Sequence, residues 1–210
     1  MRKAIFVASL MLAGLSAQGA TITTLFAGGN GQDGSMFNIQ NISSDNITLL
    51  GTFRVNSDVS AGNSADFEIW TRTGTYAGFE LSSTGWTQLG TTQTVTSAGT
   101  NNPTSLNVGA TLVLAPGQTI GFYVYTPQGL NYTDTGTNGA LGTYSDGVLR
   151  LDLGVGVGNG RFSGSTFTPR TANISIDYTQ GGSPEVPEPS TALLMLGGVG
   201  MAAWLRRRMA

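Results

Sequence analysis

The chain has 210 residues, 31 of them glycine, and its 10 basic and 12 acidic residues give a formal net charge of −2 at pH 7. It contains no histidine and no cysteine, which excludes Ser-His-Asp and Cys-His catalysis, disulfide bonds and the usual zinc and copper ligand sets. Half of the basic residues lie at the two ends, so the body between them is acidic and no nucleic-acid partner is expected.

The first twenty residues have the pattern of a secretory signal peptide. Arg2 and Lys3 give a positive start, an apolar core runs from Ala4 to Leu15, and small residues follow as far as Ala20. The apolar core is too short for a retained transmembrane helix, which needs about 20 residues. We therefore predict a signal peptide over residues 1–20, with cleavage after Gly19 or Ala20, and export of the remaining chain.

Residues 21–183 are predicted to form one all-β domain. Short runs of alternating apolar and polar residues are separated by Gly, Pro and Asn turn residues, and no segment keeps a helical period over about twelve residues. The expected fold is an antiparallel, jelly-roll-like β-sandwich of about eight to ten strands. The predicted strands are Met36–Ile42, Ile47–Val55, Phe67–Thr71, Trp86–Val95, Leu106–Leu114, Ile120–Tyr125, Gly147–Leu153 and Ile174–Tyr178. The predicted turns are Asp33–Gly34, Ala115–Gln118, Asn138–Gly139, Asp146–Gly147 and Asn159–Gly160, and the glycine run Gly154–Gly160 is interpreted as a strand end and turn.

Carboxylates are the catalytic groups that remain in a chain without His and Cys. Glu68 and Glu80 lie near Trp70 and Trp86 in the sequence, which is compatible with a two-carboxylate glycosidase site. Alternation instead makes Glu68 an outward residue of a strand and Glu80 a turn residue. We favour that interpretation and predict that the protein is not an enzyme.

Two glycine-rich loops carry the oxygen ligands that calcium prefers. They are Asp134–Gly139 and Ser145–Gly147. Neither has the spacing of an EF-hand, and Asx-Gly pairs are also ordinary turn formers. No cofactor is predicted, and calcium is the alternative that these loops leave open.

Aromatic residues offer a possible contact for sugar rings. The residues predicted for this role are Trp70, Trp86 and Tyr125. Tyr125 belongs to a strand whose alternation places Ile120, Phe122 and Val124 on one face and the two tyrosines on the other. Trp and Tyr in a sandwich are core residues more often than binding residues, so both interpretations stay open.

The tail after the body has three parts in a fixed order. Residues 184–190 form a proline-rich linker, in which Pro187 and Pro189 hold the preceding residues in extended geometry. Residues 191–205 are uncharged and would span about 23 Å as a transmembrane helix, less than the roughly 30 Å of a hydrocarbon core. Arg206, Arg207 and Arg208 begin the short tail 206–210, and each would cost about 2.5–3.5 kcal/mol at the middle of a bilayer. They are therefore predicted to stay in the cytoplasm.

This tail resembles the PEP-CTERM sorting signal of diderm bacteria. The resemblance rests on Val186, Pro187, Glu188, Pro189 and Ser190, on the short apolar segment with glycines, and on the arginine cluster. It implies recognition of Val186–Ser190 by an exosortase, which is an integral-membrane protease-like enzyme, transient anchoring in the inner membrane, and removal of the tail. It also implies a host that makes extracellular polysaccharide. A plain membrane anchor with a proline-rich stalk is the alternative.

Together these features predict an exported, non-enzymatic surface or extracellular-matrix protein. Its precursor would be held in the membrane, and the mature protein would lie at the cell surface or outside the cell, associated with exopolysaccharide or with itself. A carbohydrate-binding module with a defined glycan site is the alternative from a different functional class.

Overall fold

The computed structural model describes residues 18–181, so the predicted linker, transmembrane helix, basic tail and most of the signal peptide lie outside the described range. Within that range the chain forms thirteen β-strands and no helix, and accordingly no helix there could span a membrane. The predicted all-β, antiparallel class is confirmed. The predicted count of eight to ten strands is too low.

The thirteen strands are numbered in chain order. They are β1 (Gln18–Thr23), β2 (Asn30–Asn41), β3 (Ile47–Asn56), β4 (Ser64–Thr73), β5 (Thr87–Gln88), β6 (Gln93–Thr96), β7 (Pro103–Asn107), β8 (Leu112–Leu114), β9 (Thr119–Asp134), β10 (Thr143–Ser145), β11 (Leu149–Gly158), β12 (Ser165–Ala172) and β13 (Ile174–Gln180).

Two antiparallel sheets form a sandwich. The first sheet has the order β1-β13-β3-β7, with β8 also paired to β3. In the second sheet β2 lies between β11 and β9, and β9 pairs on its other side with β4, which also pairs with β5 and β6. The chain passes from one sheet to the other between β1, β2, β3 and β4. Strand β12 pairs with both β11 and β9, so these three strands and β2 close into a ring.

Several strand predictions are wrong in their boundaries. The predicted strand Trp86–Val95 is two short strands, because the chain turns at Gly90, which has a φ of 70°. The predicted strand Leu106–Leu114 is likewise divided at Gly109, with a φ of 69°. The predicted turn Asp33–Gly34 lies inside β2, where a Cβ on Gly34 would lie 2.5 Å from the Tyr123 ring. Glycine is needed there for close packing, not for a turn.

The core lies between the two sheets. The alternation predicted for β9 is confirmed, because Ile120, Phe122 and Val124 belong to the main buried cluster, whereas Tyr123 belongs to a second cluster on the outer face of the second sheet. Phe122 contacts Phe37 and Phe53 from the two sheets, with ring centroids 5.4 and 5.3 Å away. The second sheet therefore buries apolar side chains on both faces.

The two described ends of the chain meet at one corner of the first sheet. Gln18 of β1 is the register partner of Gln180 of β13. Cleavage after Gly19 or Ala20 would shorten β1 but leave Ile22, which is buried in the core. The predicted boundary at residue 21 thus cuts through a strand.

Asp177 joins three strands of the first sheet. Its carboxylate accepts hydrogen bonds from both terminal nitrogens of Arg54 on β3, at 2.9 and 3.1 Å, and from the Thr21 hydroxyl on β1, at 2.6 Å. Burial alone would raise the pKa of Asp177, but these hydrogen bonds and the Arg54 charge outweigh it and lower the pKa below its ordinary value.

Replacing Asp177 with asparagine should lower the free energy of unfolding by about 1–2 kcal/mol at pH 7, since the hydrogen bonds to a charged group are weakened at a partly exposed site. A lowered folded-state pKa stabilises the fold above the unfolded value of about 3.9, and this contribution is lost as the pH falls through the folded value. Urea unfolding at pH 7 and between pH 4 and 2 should show the difference from the wild type shrinking with acid. Asp152→Asn is the control, because Asp152 pairs with Arg150 on the same strand. An equal loss in both variants would contradict the role of Asp177.

Candidate functional site

The outer face of the second sheet carries a cluster of aromatic side chains. Alternation along β4 and β9 turns Trp70, Tyr123 and Tyr125 to this face, because their neighbours Ile69, Phe122 and Val124 fill the core. Tyr123 is completely buried, whereas Trp70 and Tyr125 are half-buried. An exported sandwich would normally expose polar residues here, so the aromatic cluster marks this face as unusual.

A loop covers part of the aromatic cluster. The β11–β12 loop inserts Phe162 against Trp70, Trp86 and Tyr123, with ring centroids 5.3, 5.6 and 5.2 Å away. Phe162 has a φ of 54°, a left-handed conformation that costs a non-glycine residue about 1–2 kcal/mol. Such strain is found most often at functional sites. The neighbouring Arg161 lies over the same face, with its guanidinium carbon near the Trp70 ring.

An open cleft of about 380 Å³ lies beside this cluster. We call it the Tyr125 cleft, after the aromatic ring in its wall. Its lining residues are Asp66, Glu68, Thr92, Tyr125, Pro127 and Arg161. The cleft therefore combines one aromatic ring with two carboxylates, a guanidinium and a hydroxyl.

Hydrogen bonds fix the polar side chains of the cleft. One oxygen of Glu68 accepts hydrogen bonds from Arg161 Nη1 at 2.5 Å and from Trp70 Nε1 at 2.8 Å. The Arg161 guanidinium carbon lies 5.0 Å from the Trp70 ring centroid and 5.9 Å from that of Tyr125. Asp66, two residues before Glu68 and so on the same face of β4, accepts a hydrogen bond from the Thr94 hydroxyl at 2.5 Å. The polar groups are thus held in place before any ligand arrives.

The surroundings of Tyr125 are electrostatically negative. Burial raises the pKa of the Tyr125 hydroxyl, the charges of Asp33 and Glu68 raise it further, and Arg161 opposes them without cancelling the increase. The buried Tyr123 hydroxyl behind it also has a raised pKa, mainly through burial. Both hydroxyls are therefore neutral donors at neutral pH.

The structure separates the three predicted sugar-contact residues. Tyr125 lines the cleft, while the Trp70 ring is held by Arg161 and Phe162 at its border. Trp86 is only 7% exposed, and its indole Nε1 donates to the Phe79 carbonyl oxygen at 3.1 Å. The loop after β4 thus folds Trp86 inward as a packing residue, and its role as a glycan contact stays a prediction that this burial does not support.

Glu68 and Glu80, the two carboxylates predicted from the sequence, do not line the same cleft. Glu68 is on β4 as expected and lines the cleft, but it is ion-paired with Arg161. Glu80 lies in the loop after β4 and does not line the cleft. The residue beside Glu68 in the cleft is Asp66, not Glu80.

The two calcium candidates already use their carboxylates within the fold. Asp134 accepts a hydrogen bond from Asn30 at 2.9 Å and lies 3.0 Å from Arg170. Asp146 accepts hydrogen bonds from the backbone N–H groups of Val148 and Leu149 and from the Tyr178 hydroxyl, at 3.0, 2.9 and 2.7 Å. Among residues 18–181 no cluster of three or more acidic side chains has the arrangement of a metal site. Calcium would have to displace these contacts to bind here.

Sequence reasoning missed Asp66, Arg161 and Phe162 as parts of the site. Asp66 could have been found, because it lies two residues before Glu68 and four before Trp70 on one strand and so belongs to the same face. Arg161 and Phe162 come from a distant loop, and nothing in their local sequence indicates that the loop folds over β4 and β9. Only the strand pairing brings these residues together.

The described body is thus an antiparallel β-sandwich with an aromatic cleft on one sheet. Residues 185–208 match the family model for the PEP-CTERM protein-sorting motif, which confirms the resemblance of the tail. This motif implies an exported protein that is sorted by an exosortase and made as a membrane-anchored precursor.

No curated protein matches the chain. A solved structure, that of the infectious bursal disease virus Gt strain, aligns with 13% sequence identity and a TM-score of 0.20 over 93% of this chain and 54% of the viral chain. The chain therefore spans about half the length of that viral protein. A likeness at this TM-score carries no argument about fold or function.

Proposed function

We propose that this protein is a non-enzymatic component of the cell surface or extracellular matrix, and that it associates with extracellular polysaccharide through the Tyr125 cleft. The observation that carries the proposal is a half-buried aromatic ring that lines an open cleft among fixed polar side chains, in a chain that bears the PEP-CTERM motif. A sugar presents an apolar C–H face to such a ring and hydroxyl groups to carboxylates and guanidinium groups. Tyr125 would supply the first contact, and Asp66, Glu68 and Arg161 the second.

The placement of the cleft suits a protein that is tethered during sorting. The described ends, Gln18 and Gln180, leave from one corner, where Gln180 also donates to Asp45. Strand β9 starts at that end of the sandwich. Asn41 makes the connection: its backbone N–H donates to the Gln118 carbonyl oxygen, just before β9, and its side chain donates to the Leu114 carbonyl oxygen at the end of β8. Tyr125 lies six residues further along β9, about 20 Å away. The cleft would therefore lie about 20 Å from the corner at which the tail begins.

The chemistry of the cleft supports binding without catalysis. A glycosidase needs one carboxyl group as a general acid and a second as base or nucleophile. Glu68 is held in an ion pair with Arg161 and accepts a second hydrogen bond, from Trp70, on the same oxygen. The proposal that the protein is not an enzyme rests on this pairing and on the absence of His and Cys from the sequence.

A carbohydrate-binding module with a defined glycan site is the second candidate, and the Tyr125 cleft favours it. The two candidates differ in stoichiometry and affinity. A module should bind one short oligosaccharide saturably at one site, whereas a matrix component should bind long polymers weakly and at many points. Titration with oligosaccharides of increasing length distinguishes them.

Replacing Tyr125 with alanine should weaken polysaccharide binding at least tenfold, because the variant loses the stacking surface in the cleft. Tyr125→Phe should bind nearly as well as the wild type, since the ring remains. The measurement is a pull-down and titration of the mature protein with the exopolysaccharide of its own host.

Tyr144→Ala is the matched control, because Tyr144 is also a half-buried tyrosine but lies on β10, outside the cleft. It should bind as the wild type does. Undiminished binding by a folded Tyr125→Ala protein would rule out the cleft as the contact, and the absence of any binding by the wild type would rule out the proposed function.

A further inference from the structure

The Tyr125 cleft has an excess of negative charge. Its lining includes two carboxylates, of Asp66 and Glu68, and one cation, Arg161, which is bound to Glu68. Asp33 adds a further negative charge in the neighbourhood of Tyr125. The Asp66 carboxylate accepts a hydrogen bond from a neutral hydroxyl and has no cationic partner among the described residues. A half-exposed carboxylate that lacks a cationic partner in the described part of the chain therefore shares the cleft with the aromatic ring.

Most arginines of the described body are already paired with acidic residues. The body contains five arginines, no lysine and ten acidic residues. Four of the arginines pair with carboxylates, namely Arg54, Arg150, Arg161 and Arg170. The fifth, Arg72, has no carboxylate partner among residues 18–181; it donates to the Thr75 carbonyl oxygen, lies 3.4 Å above the Phe79 ring centroid and does not line the cleft. A polymer of uronic acids would therefore find repulsion in the cleft and a single unpaired arginine outside it on the described residues.

We infer that the ligand of the Tyr125 cleft is a glycan with free amino groups, such as a hexosamine polymer that is not fully N-acetylated. This inference rests on the proposed function and names its ligand class. The protonated amine of one sugar residue lies against the Asp66 carboxylate and donates hydrogen bonds to it, while the apolar face of the ring stacks on Tyr125. Glu68 and Arg161 contact the hydroxyl groups of the adjoining sugar as one neutral pair.

Charge distinguishes a glycan with free amino groups from N-acetylated and from acidic glycans. An ammonium group at hydrogen-bond distance from a carboxylate forms a charge-assisted pair, stronger than a neutral hydrogen bond. N-acetylation removes that charge and adds bulk, and a uronate reverses its sign. Because the site is open to solvent, the attraction should weaken as salt is added.

The test is isothermal titration of the mature protein with three oligosaccharides of equal length: tetraglucosamine, tetra-N-acetylglucosamine and tetragalacturonate. We expect tetraglucosamine to bind at least tenfold more tightly than its acetylated form, and tetragalacturonate not to bind. Raising the salt concentration from 50 to 500 mM should weaken tetraglucosamine binding several-fold and leave the acetylated form nearly unchanged.

Two isosteric substitutions test whether the Asp66 carboxylate or the net charge of the whole body attracts the ligand. Asp66→Asn should weaken tetraglucosamine binding about tenfold and leave tetra-N-acetylglucosamine binding unchanged. Asp45→Asn is the control, because Asp45 lies at the opposite end of the sandwich, beside Gln180. If it weakens binding as much as Asp66→Asn, net charge and not the cleft is responsible, and the inference fails.

The failure of this inference can be told from failure of the proposed function. Preference for the acetylated or the acidic oligosaccharide, with loss of binding in Tyr125→Ala, would overturn the amino-sugar class and keep the cleft as a glycan site. No binding of any of the three, together with no binding of host polysaccharide, would overturn both.

Discussion

Replacing Gly156 with alanine should lower the free energy of unfolding by about 2–3 kcal/mol, the range of overpacking in a filled core. Gly156 lies on β11 inside the ring of β2, β9, β12 and β11. A Cβ added there would lie 2.3 Å from Cζ and from the hydroxyl oxygen of Tyr132, whose side chain is completely buried. The Tyr132 ring must shift to admit the new methyl group, and this shift disturbs packing because the ring is buried and its residue is paired on both sides.

Urea unfolding of the mature protein measures this effect, and Gly29→Ala is its matched control. Gly29 lies in the loop before β2 and has nothing within 4 Å of its added Cβ, so its replacement should change stability by less than about 0.5 kcal/mol. A second comparison uses Tyr132→Leu, which removes the obstructing ring. In that background Gly156→Ala should cost much less than it does alone, because the two changes share one contact. Additive losses would show that the Tyr132 ring is not what requires glycine at 156.

The glycine run shows why part of this fold could be predicted from the sequence and part could not. Interpreting Gly154–Gly160 as a strand end and turn is right for Asn159 and Gly160, which follow the strand. The preceding residues, however, lie within β11. A Cβ added to Gly154 would lie 2.2 Å from the Met36 carbonyl oxygen, about as close as a Cβ on Gly156 would lie to Tyr132. The requirement for glycine comes from strands that are distant in sequence, so no local pattern reveals it.

Alternation predicted the faces of strands better than their ends. Along β9 it correctly separates Phe122 in the core from Tyr123 and Tyr125 on the outer face. It did not predict that β9 continues to Asp134, because Pro127 and Gly129 resemble a loop. Strand β12 was missed altogether, since half of its residues are exposed, most of them polar. Alternation appears only where a strand has one buried and one exposed face, whereas residues 130–133 of β9 are buried on both faces and most of β12 is buried on neither.

The candidate site was predictable only in the side chains that belong to alternating strands. The rings of Trp70 and Tyr125 could be placed on one face because each belongs to an alternating strand. Whether a third ring, Trp86, is exposed depends on the path of the loop after β4, which carries no periodicity. The charge of the cleft likewise depends on Arg161, 93 residues from its partner Glu68. Long-range pairing therefore determines the ligand class, and sequence patterns determine only which rings are available.

Replacing Arg206, Arg207 and Arg208 with serine should abolish normal maturation of the precursor. Each arginine costs about 2.5–3.5 kcal/mol at the middle of a bilayer, and the uncharged segment before them is shorter than a standard span. Without the three charges nothing opposes passage of the tail through the membrane, so we expect uncut protein outside the cell.

Replacing Pro187 and Pro189 with alanine should have a different result. The anchor is intact, but the extended segment of the PEP-CTERM motif is lost, so uncut protein should accumulate in the membrane.

Mass spectrometry of the C-terminus, on the membrane and culture fractions of the producing host, distinguishes these outcomes. Wild-type protein should lack the tail, whereas both variants should keep residues 184–210 in different fractions. Lysine at the three arginine positions is the control for charge and should leave maturation unchanged, because lysine is as costly to bury. Pro184→Ala is the control for the motif, since Pro184 precedes Val186–Ser190. Normal truncation of the Pro187 and Pro189 variant would mean that the protease recognises another part of the tail. Retention of the serine variant in the membrane would mean that the apolar segment anchors the precursor without a charged end.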